Sequence, residues 1–181
     1  MPAAQHLDDS AEKAVYDLHE NYIDDPDYRH FLSRLLDPLL EQVTAPAHAL
    51  EFGCGHGPAL AAMLEEAGFT VRLYDPFYYP DPAPLNDCYQ VITATEVVEH
   101  LARPGAELER LWKLLEPGGW LGMMTKRLPP LTMFASWHYR RDPTHIALFH
   151  DETFCYLANR WQAELKMPRS DVAMLRKPLS Q

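Results

Sequence analysis

Along most of the chain, segments with the apolar pattern of strands alternate with segments that have apolar residues at helical spacing. Four apolar runs have the length of buried strands, over residues 47–52, 69–74, 89–94 and 120–125. Apolar residues at helical spacing lie between them, over residues 58–67, in a turn at 95–101, and over 107–115. Strands and helices that alternate in this way predict an α/β fold, with a Rossmann-like, mostly parallel sheet and helices on both faces.

The N-terminal part of the chain carries a different pattern. Two helices are predicted before the first strand, over residues 10–20 and 27–43, and Pro38 is expected to kink the second. A length of 181 residues fits one domain. We therefore expect a single domain with an N-terminal helical cap over residues 1–46 and a core over residues 47–181.

The C-terminal part is predicted to close the sheet. Residues 126–150 show no clean period, which is typical of a lid or a substrate loop. A helix follows over residues 152–160, with Asp151 as its N-cap. Residues 161–167 and 172–177 are then predicted to form an antiparallel pair, so that the sheet ends on an antiparallel C-terminal strand.

A glycine-rich loop follows the first strand. Gly53, Gly55 and Gly57 let the backbone turn sharply and approach a ligand closely. Their spacing is G-x-G-x-G, whereas the dinucleotide fingerprint is G-x-G-x-x-G, and Glu51 before the loop suits a ligand with cationic groups. Asp75 ends the second strand, where a carboxylate can accept hydrogen bonds from ribose hydroxyls. The alternatives are a tight turn of any α/β protein and a turn or helix-capping aspartate.

Taken together, these motifs resemble those of class I S-adenosylmethionine-dependent methyltransferases. The resemblance rests on four segments in family order: Leu-Glu-Phe-Gly-Cys-Gly-His-Gly at 50–57, Tyr-Asp at 74–75, Tyr-Gln-Val-Ile-Thr-Ala-Thr-Glu-Val-Val-Glu-His-Leu at 89–101 and Leu-Glu-Pro-Gly-Gly-Trp-Leu at 115–121. It implies that S-adenosylmethionine meets the following residues: Glu51, Gly53, Cys54 and Gly55 at its methionine part, Asp75 at its ribose, Pro76 or Phe77 near its adenine, and the backbone around Ala94 at its amino acid group.

Two features depart from the family pattern. Gln90 stands where the family often has Asp after the aromatic residue that begins this strand. Only 13 residues separate Asp75 from Tyr89, so we expect a shortened third-strand region. The acidic residue that often contacts the adenine amine in the family has no clear match, and Asp87 is the nearest candidate.

A second group of polar residues follows the third predicted strand. Glu96, Glu99 and His100 lie at i, i+3 and i+4, which places them on one face of a helix. Such groups ligate divalent metals or act as a general base with its orienting partner. The set resembles the ubiquinone-biosynthesis O-methyltransferases, and the Glu-x-x-Glu-His motif and later histidine that hold a metal in small-RNA 3′-terminal 2′-O-methyltransferases. The resemblance implies that Glu96, Glu99, His100 and His145 are catalytic, and that they are the ligands if a divalent metal is used. A solvated helix face and a structural histidine are the alternatives.

Composition narrows the classes of partner. The formal net charge is −10 with only 16 Lys and Arg residues, which disfavours long nucleic acid because phosphates are bound mainly by basic side chains. Three cysteines without a C-x-x-C pair indicate neither a disulfide framework nor a structural zinc site. No apolar run approaches the roughly 18 residues of a membrane span. We therefore expect a cytoplasmic protein that binds no membrane, and the sequence leaves its oligomeric state open.

The expected activity is methyl transfer from S-adenosylmethionine to a small-molecule acceptor. A hydroxyl oxygen is the first choice, since such a group needs a base or a metal to ionise near neutral pH. No Asn/Asp-Pro-Pro-Tyr signature of nitrogen acceptors follows the third predicted strand. The alternatives are a non-catalytic S-adenosylmethionine-binding module, an RNA 3′-terminal 2′-O-methyltransferase, and a small NAD-dependent reductase, for which the Tyr-x-x-x-Lys pair is missing.

Overall fold

The computed structural model describes residues 2–19 and 21–179. Six strands form one sheet: β1 (His48–Phe52), β2 (Thr70–Tyr74), β3 (Tyr89–Thr95), β4 (Leu115–Met124), β5 (Glu164–Arg169) and β6 (Val172–Arg176). Their order across the sheet is β2-β1-β3-β4-β6-β5. The first four strands in that order are parallel, β6 runs antiparallel to β4, and β5 runs antiparallel to β6. The predicted mostly parallel sheet with an antiparallel C-terminal end is confirmed.

Helices cover both faces of this sheet, as predicted. The helices in the described part of the chain are α1 (Asp9–Tyr16), α2 (Pro26–Leu40), α3 (Ala59–Glu66), α4 (Pro104–Leu114), α5 (Leu131–Phe134) and α6 (Asp151–Trp161). Successive strand residues point to opposite faces, so Ala49 and Leu50 of β1 belong to two separate apolar clusters. α2 and α3 pack in the cluster of Ala49, and α4 and α6 pack in the cluster of Leu50.

Local sequence explains where the helices begin and end. α2 begins after Asp25, whose carboxylate accepts from the N–H groups of Asp27 and Tyr28, and it continues through Pro38 to Leu40. α6 corrects one prediction, because its N-cap is His150 and not Asp151. The His150 ring accepts from the Glu152 N–H at 3.2 Å, and Asp151 is already the first helical residue.

The region between β2 and β3 is short, as predicted. Residues 75–88 form a bridge between Asp75 and Tyr79 and a single 3₁₀ turn at Ala83–Asn86, with no strand. β2 is consequently an edge strand of the sheet. In the described part of the chain, no helix has the length and apolar character that a membrane span requires.

Candidate functional site

The glycine loop turns directly after β1. Gly53 and Gly55 have φ angles of +73° and +65°, a backbone conformation that favours glycine. The Gly53 N–H donates to the Tyr74 carbonyl at 2.7 Å, which ties the loop to the end of β2. A Cβ atom at Gly53 would lie 2.5 Å from Val97, whereas one at Gly55 would meet no atom within 4 Å. The loop is therefore packed on one side at Gly53 and open to space at Gly55.

Asp75 connects this loop to the segment after β2. Its carboxylate is buried and accepts three backbone N–H groups: Gly55 at 2.9 Å, Phe77 at 2.8 Å and Tyr78 at 3.1 Å. These bonds hold the two segments at a fixed separation before any ligand arrives. Each carboxylate oxygen accepts at more than one position, so Asp75 retains capacity for further donors such as hydroxyl groups.

Glu51 is buried beneath the loop. Its carboxylate accepts the Ala61 N–H of α3 at 2.9 Å. The pKa of Glu51 is raised to about 8, mainly by burial and to a smaller extent by the charge of Asp75, against the opposing effect of the Ala61 bond. Glu51 therefore holds its proton under conditions in which exposed glutamates are ionised.

A cavity of about 1500 Å³ opens at the carboxyl ends of β1, β2 and β3, the usual ligand-binding edge of an open parallel sheet. Its wall includes eight of the predicted site residues: Gly53, Cys54, Gly55, Asp75, Pro76, Glu96, His100 and, on the facing loop, His145. Ala94 is fully buried in β3, and its neighbour Thr95 lines the wall. Pockets for one ligand occupy about 300–1000 Å³, so this cavity has room for a cofactor and a second molecule.

The polar residues after β3 meet by a route that differs from the predicted one. Only Val98–His100 forms a 3₁₀ turn, and Glu96 has a φ angle of +51°, so the prediction of one shared helical face was wrong. The Glu96 N–H donates to the Met124 carbonyl at 2.7 Å, which extends the pairing with β4 past the strand end.

Three of the four predicted residues still converge. Potential ligand atoms of Glu99, His100 and His145 all lie within 4.8 Å of one another, and we call these three residues the reaction cluster. Glu96 lies beside the cluster, and one of its carboxylate oxygens is 3.5 Å from the Tyr139 hydroxyl. Among the described residues Glu96 is therefore a neighbour of the group and not a fourth member.

Backbone carbonyls fix the tautomer of both histidines. The Nδ1 atom of His100 is 3.0 Å from the Thr144 carbonyl, and that of His145 is 2.7 Å from the Tyr139 carbonyl. A carbonyl only accepts, so each Nδ1 carries the hydrogen and each Nε2 carries a lone pair. Burial lowers the pKa of His100 to about 4, helped by the nearby His145, and burial also lowers the pKa of His145. Both rings are neutral bases near pH 7.

The two carboxyl groups are buried with incomplete hydrogen bonding. Burial raises the pKa of Glu96 to about 8, with Glu99 adding to the effect, and burial also raises the pKa of Glu99. One oxygen of each, Oε1 of Glu96 and Oε2 of Glu99, is buried and accepts no hydrogen bond from the residues that the structure describes. A buried acceptor without a donor costs about 1–3 kcal/mol, so a proton or a cation at this position would be stabilising.

Tyr139 is the main residue that sequence reasoning missed. It is buried in the 3₁₀ turn His138–Arg141, and its hydroxyl contacts Glu99, the Thr125 hydroxyl and Glu96. The run of aromatic and histidine residues at 137–139 was a signal that this segment has a specific place, but no local pattern identifies the partner of a loop tyrosine.

A family model described as a methyltransferase domain matches residues 25–165 of the chain. The chain belongs to this methyltransferase domain family. The match begins at the N-cap of α2 and ends inside β5, so it includes all four parallel strands, the glycine loop and the reaction cluster. The family and the sheet together place the domain in the class I S-adenosylmethionine-dependent methyltransferase superfamily.

Solved structures share the fold of this methyltransferase domain at low sequence identity. An O-methyltransferase family protein from Burkholderia thailandensis has a TM-score of 0.59 and 14% identity, over 94% of this chain and 64% of that one. The N-methyltransferase NodS from Bradyrhizobium japonicum WM9, in complex with S-adenosylhomocysteine, has a TM-score of 0.57 and 15% identity, over 93% and 97%. A SAM-dependent methyltransferase from Archaeoglobus fulgidus has a TM-score of 0.57 and 17% identity, over 76% and 71%.

The chain thus spans less than two thirds of the Burkholderia protein. A search of curated proteins finds no match.

Proposed function

We propose that this methyltransferase domain transfers a methyl group from S-adenosylmethionine to a hydroxyl oxygen of a small molecule. One observation carries the proposal: the glycine loop with Asp75 and the histidines of the reaction cluster line the same cavity. Residues 47–181 would form the catalytic core, and residues 1–46 would cap it, since Lys13 and Tyr16 of α1 line the cavity wall.

The donor would lie against the glycine loop. Gly53, Cys54 and Gly55 would border its methionine part, and the free space at Gly55 supports this assignment. Asp75 would accept the ribose hydroxyls, next to Pro76 on the adenine side. The structural neighbour NodS, which was solved with S-adenosylhomocysteine, supports the choice of cofactor.

The acceptor would lie between the donor and the reaction cluster. The neutral Nε2 of His100 or His145 takes the proton of the acceptor hydroxyl while the oxygen attacks the methyl carbon in line. The carbon–sulfur bond breaks as the carbon–oxygen bond forms, and the sulfonium becomes the neutral thioether of S-adenosylhomocysteine. Holding donor and acceptor aligned would supply much of the acceleration.

Label transfer tests this function. Purified protein is incubated with methyl-labelled S-adenosylmethionine and a panel of catechols, phenols and hydroxy acids. The wild type should label at least one compound, and His100→Ala and His145→Ala should each reduce turnover about 10²–10⁴-fold, the usual contribution of a general base. Both variants should keep their affinity for S-adenosylhomocysteine, and His30→Ala, a change at an exposed position, is the control. Wild-type turnover in both cluster variants would show that the histidines are structural.

A divalent metal at the reaction cluster is a second version of the same function. The residues fit such an ion: both Nε2 atoms carry lone pairs, and both Nδ1–H groups are anchored to carbonyls as in metal-ligating histidines. In the described part of the chain, no donor reaches Oε2 of Glu99. Glu99, His100 and His145 would hold the ion, and Glu96 would not. A bound ion would lower the pKa of an acceptor hydroxyl.

Chelation separates the two versions. Treatment with EDTA and removal of the chelator should abolish methyl transfer if a metal is required, and an added divalent ion should restore it. Unchanged turnover after chelation would mean that the histidines act as the bases without a metal. As a control, the chelated wild type should still bind S-adenosylhomocysteine, which would show that chelation leaves the donor site intact.

A further inference from the structure

Tyr139 touches more of the reaction cluster than any other neighbour described above. Its hydroxyl contacts Glu99 closely and lies 3.1 Å from the Thr125 hydroxyl. Its backbone carbonyl accepts the Nδ1–H of His145 at 2.7 Å, and the two ring centroids are 3.9 Å apart. One residue therefore contacts a carboxylate through its side chain and an imidazole through its main chain.

We infer that Tyr139 is a positioning residue that fixes Glu99 and His145 relative to each other within the reaction cluster. The inference rests on the proposed methyl-transfer function. Tyr139 acts through these two neighbours, and Lys126, whose ammonium lies 5.3 Å from the centre of its ring, borders it on the cavity side.

The direction of the hydrogen bonds follows from the number of protons. A phenol has one O–H to donate, and the closest acceptor is Glu99, so the Thr125 hydroxyl donates to the Tyr139 oxygen. Among the described residues, Oε2 of Glu99 accepts no hydrogen bond. The close Tyr139 contact orients the carboxyl group from the side of the loop, and the Thr125 hydroxyl contacts it from the end of β4. Without the Tyr139 contact Glu99 would be freer to turn away from the Nε2 atoms of the histidines.

The surrounding loop is anchored independently of this hydroxyl. The N–H groups of Ile146 and Ala147 both donate to the Glu99 carbonyl at 2.9 Å, and the Thr144 carbonyl accepts from His100. Tyr139→Phe keeps the ring and the carbonyl that holds His145. It therefore removes the orienting bond to Glu99 and leaves the loop in place.

Steady-state kinetics with an acceptor found by label transfer test the inference. We expect Tyr139→Phe to lower kcat about 10- to 100-fold, the range for residues that orient a site from outside, with KM for S-adenosylmethionine within about twofold of wild type. Tyr89→Phe is the matched control, since Tyr89 is buried at the other end of β3 and its hydroxyl donates to the Pro84 carbonyl at 2.7 Å. A kcat for Tyr139→Phe equal to that of the control would overturn the inference.

A second measurement needs no acceptor. The ¹⁵N signals of the Nε2 atoms of His100 and His145 should shift in Tyr139→Phe and stay unchanged in Tyr89→Phe, because only the first moves the Glu99 carboxyl group. Unchanged signals in both would contradict the inference even if no acceptor had been found, whereas a wild type that labels no compound contradicts the proposed function alone.

If Tyr139→Phe does not fold, Thr125→Val replaces it. This variant removes the hydroxyl that bonds the Tyr139 oxygen and also contacts Glu99. It should shift the same signals, with a fall in kcat of several-fold, and wild-type behaviour would overturn the inference.

Discussion

Glu51 shows how burial of one side chain links the proposed donor site to pH. Its pKa is raised to about 8 by burial, against an ordinary value of 4.5. Between pH 4.5 and 8 the folded state therefore keeps a proton on Glu51 that the unfolded state has released. The free energy of unfolding consequently falls as pH rises toward 8. The charged carboxylate is the form that burial penalises.

Glu51→Gln should flatten this pH dependence. The amide oxygen still accepts the Ala61 N–H, and no ionisation remains at this position. The wild-type free energy of unfolding should fall by up to roughly 1.4 kcal/mol per pH unit for each such group between pH 6.5 and 8. Glu96 contributes in the same direction, so the variant should lose only part of the slope.

Denaturant unfolding at several pH values between 6.5 and 8 measures this difference. The lowered pKa values of the two cluster histidines raise the free energy of unfolding as pH rises through their ordinary value of 6.5, but they do so equally in wild type and Glu51→Gln and therefore cancel in the comparison. Glu65→Gln, at an exposed position of α3, is the control and should keep the wild-type slope. An equal slope in wild type and Glu51→Gln would mean that Glu51 is ionised in the folded protein.

Residue type and spacing identified some site residues and not others. Gly53, Gly55 and Asp75 belong to a contiguous motif between two strands, so the sequence alone put them at one edge of the sheet. His145 was found because a histidine in an unpatterned segment is poor core filler. Tyr139 was missed, because its contact with Glu99 joins residues 40 positions apart in sequence and depends on how an aperiodic loop packs.

At the scale of elements, two glycines in the turn from β1 to α3 have different surroundings: Gly53 is packed against a neighbour, and Gly55 faces the space proposed for the ligand. Gly53→Ala places a Cβ atom 2.5 Å from Val97, in a backbone conformation that L residues rarely adopt. Gly55→Leu has the same conformational strain, on the order of 1–2 kcal/mol, but its side chain begins in open space.

We therefore expect Gly55→Leu to fold and to lose affinity for S-adenosylhomocysteine, and Gly53→Ala to lose more thermal stability. Thermal unfolding and calorimetry on the same samples distinguish the two effects. Gly105→Ala is the control, since Gly105 lies in α4 with no neighbour near its Cβ position, and it should bind as wild type does. Wild-type affinity in Gly55→Leu would mean that the cofactor does not occupy the space beside the loop.

Hydrophobic period predicted the elements that pack against the sheet. β1, β2, β3 and the helices between them were found because their apolar positions follow the burial of each face. The turn after β3 was predicted as a helix, since i, i+3 and i+4 spacing cannot reveal that Glu96 has a positive φ and pairs with β4. The prediction of Asp151 as N-cap failed by one residue because a histidine ring takes that role.

At the scale of the whole molecule, the parallel sheet brings two separate chain segments to one cavity. The loop after β1 and the turn after β3 meet there because parallel strands present their carboxyl ends at the same edge. Residues 75–88, between β2 and β3, form no strand, so β2 lies at the edge of the sheet. This short segment borders the proposed adenine side of the cavity. A net charge of −10 fits a small acceptor better than long nucleic acid.

A crystal structure of the protein with S-adenosylhomocysteine would show directly whether the donor site and the histidines of the reaction cluster share one cavity. We expect the ribose at Asp75, the methionine part against Gly53–Gly55, and the sulfur facing His100 and His145. A ligand bound outside this cavity, or one whose sulfur faces away from both histidines, would contradict this expectation.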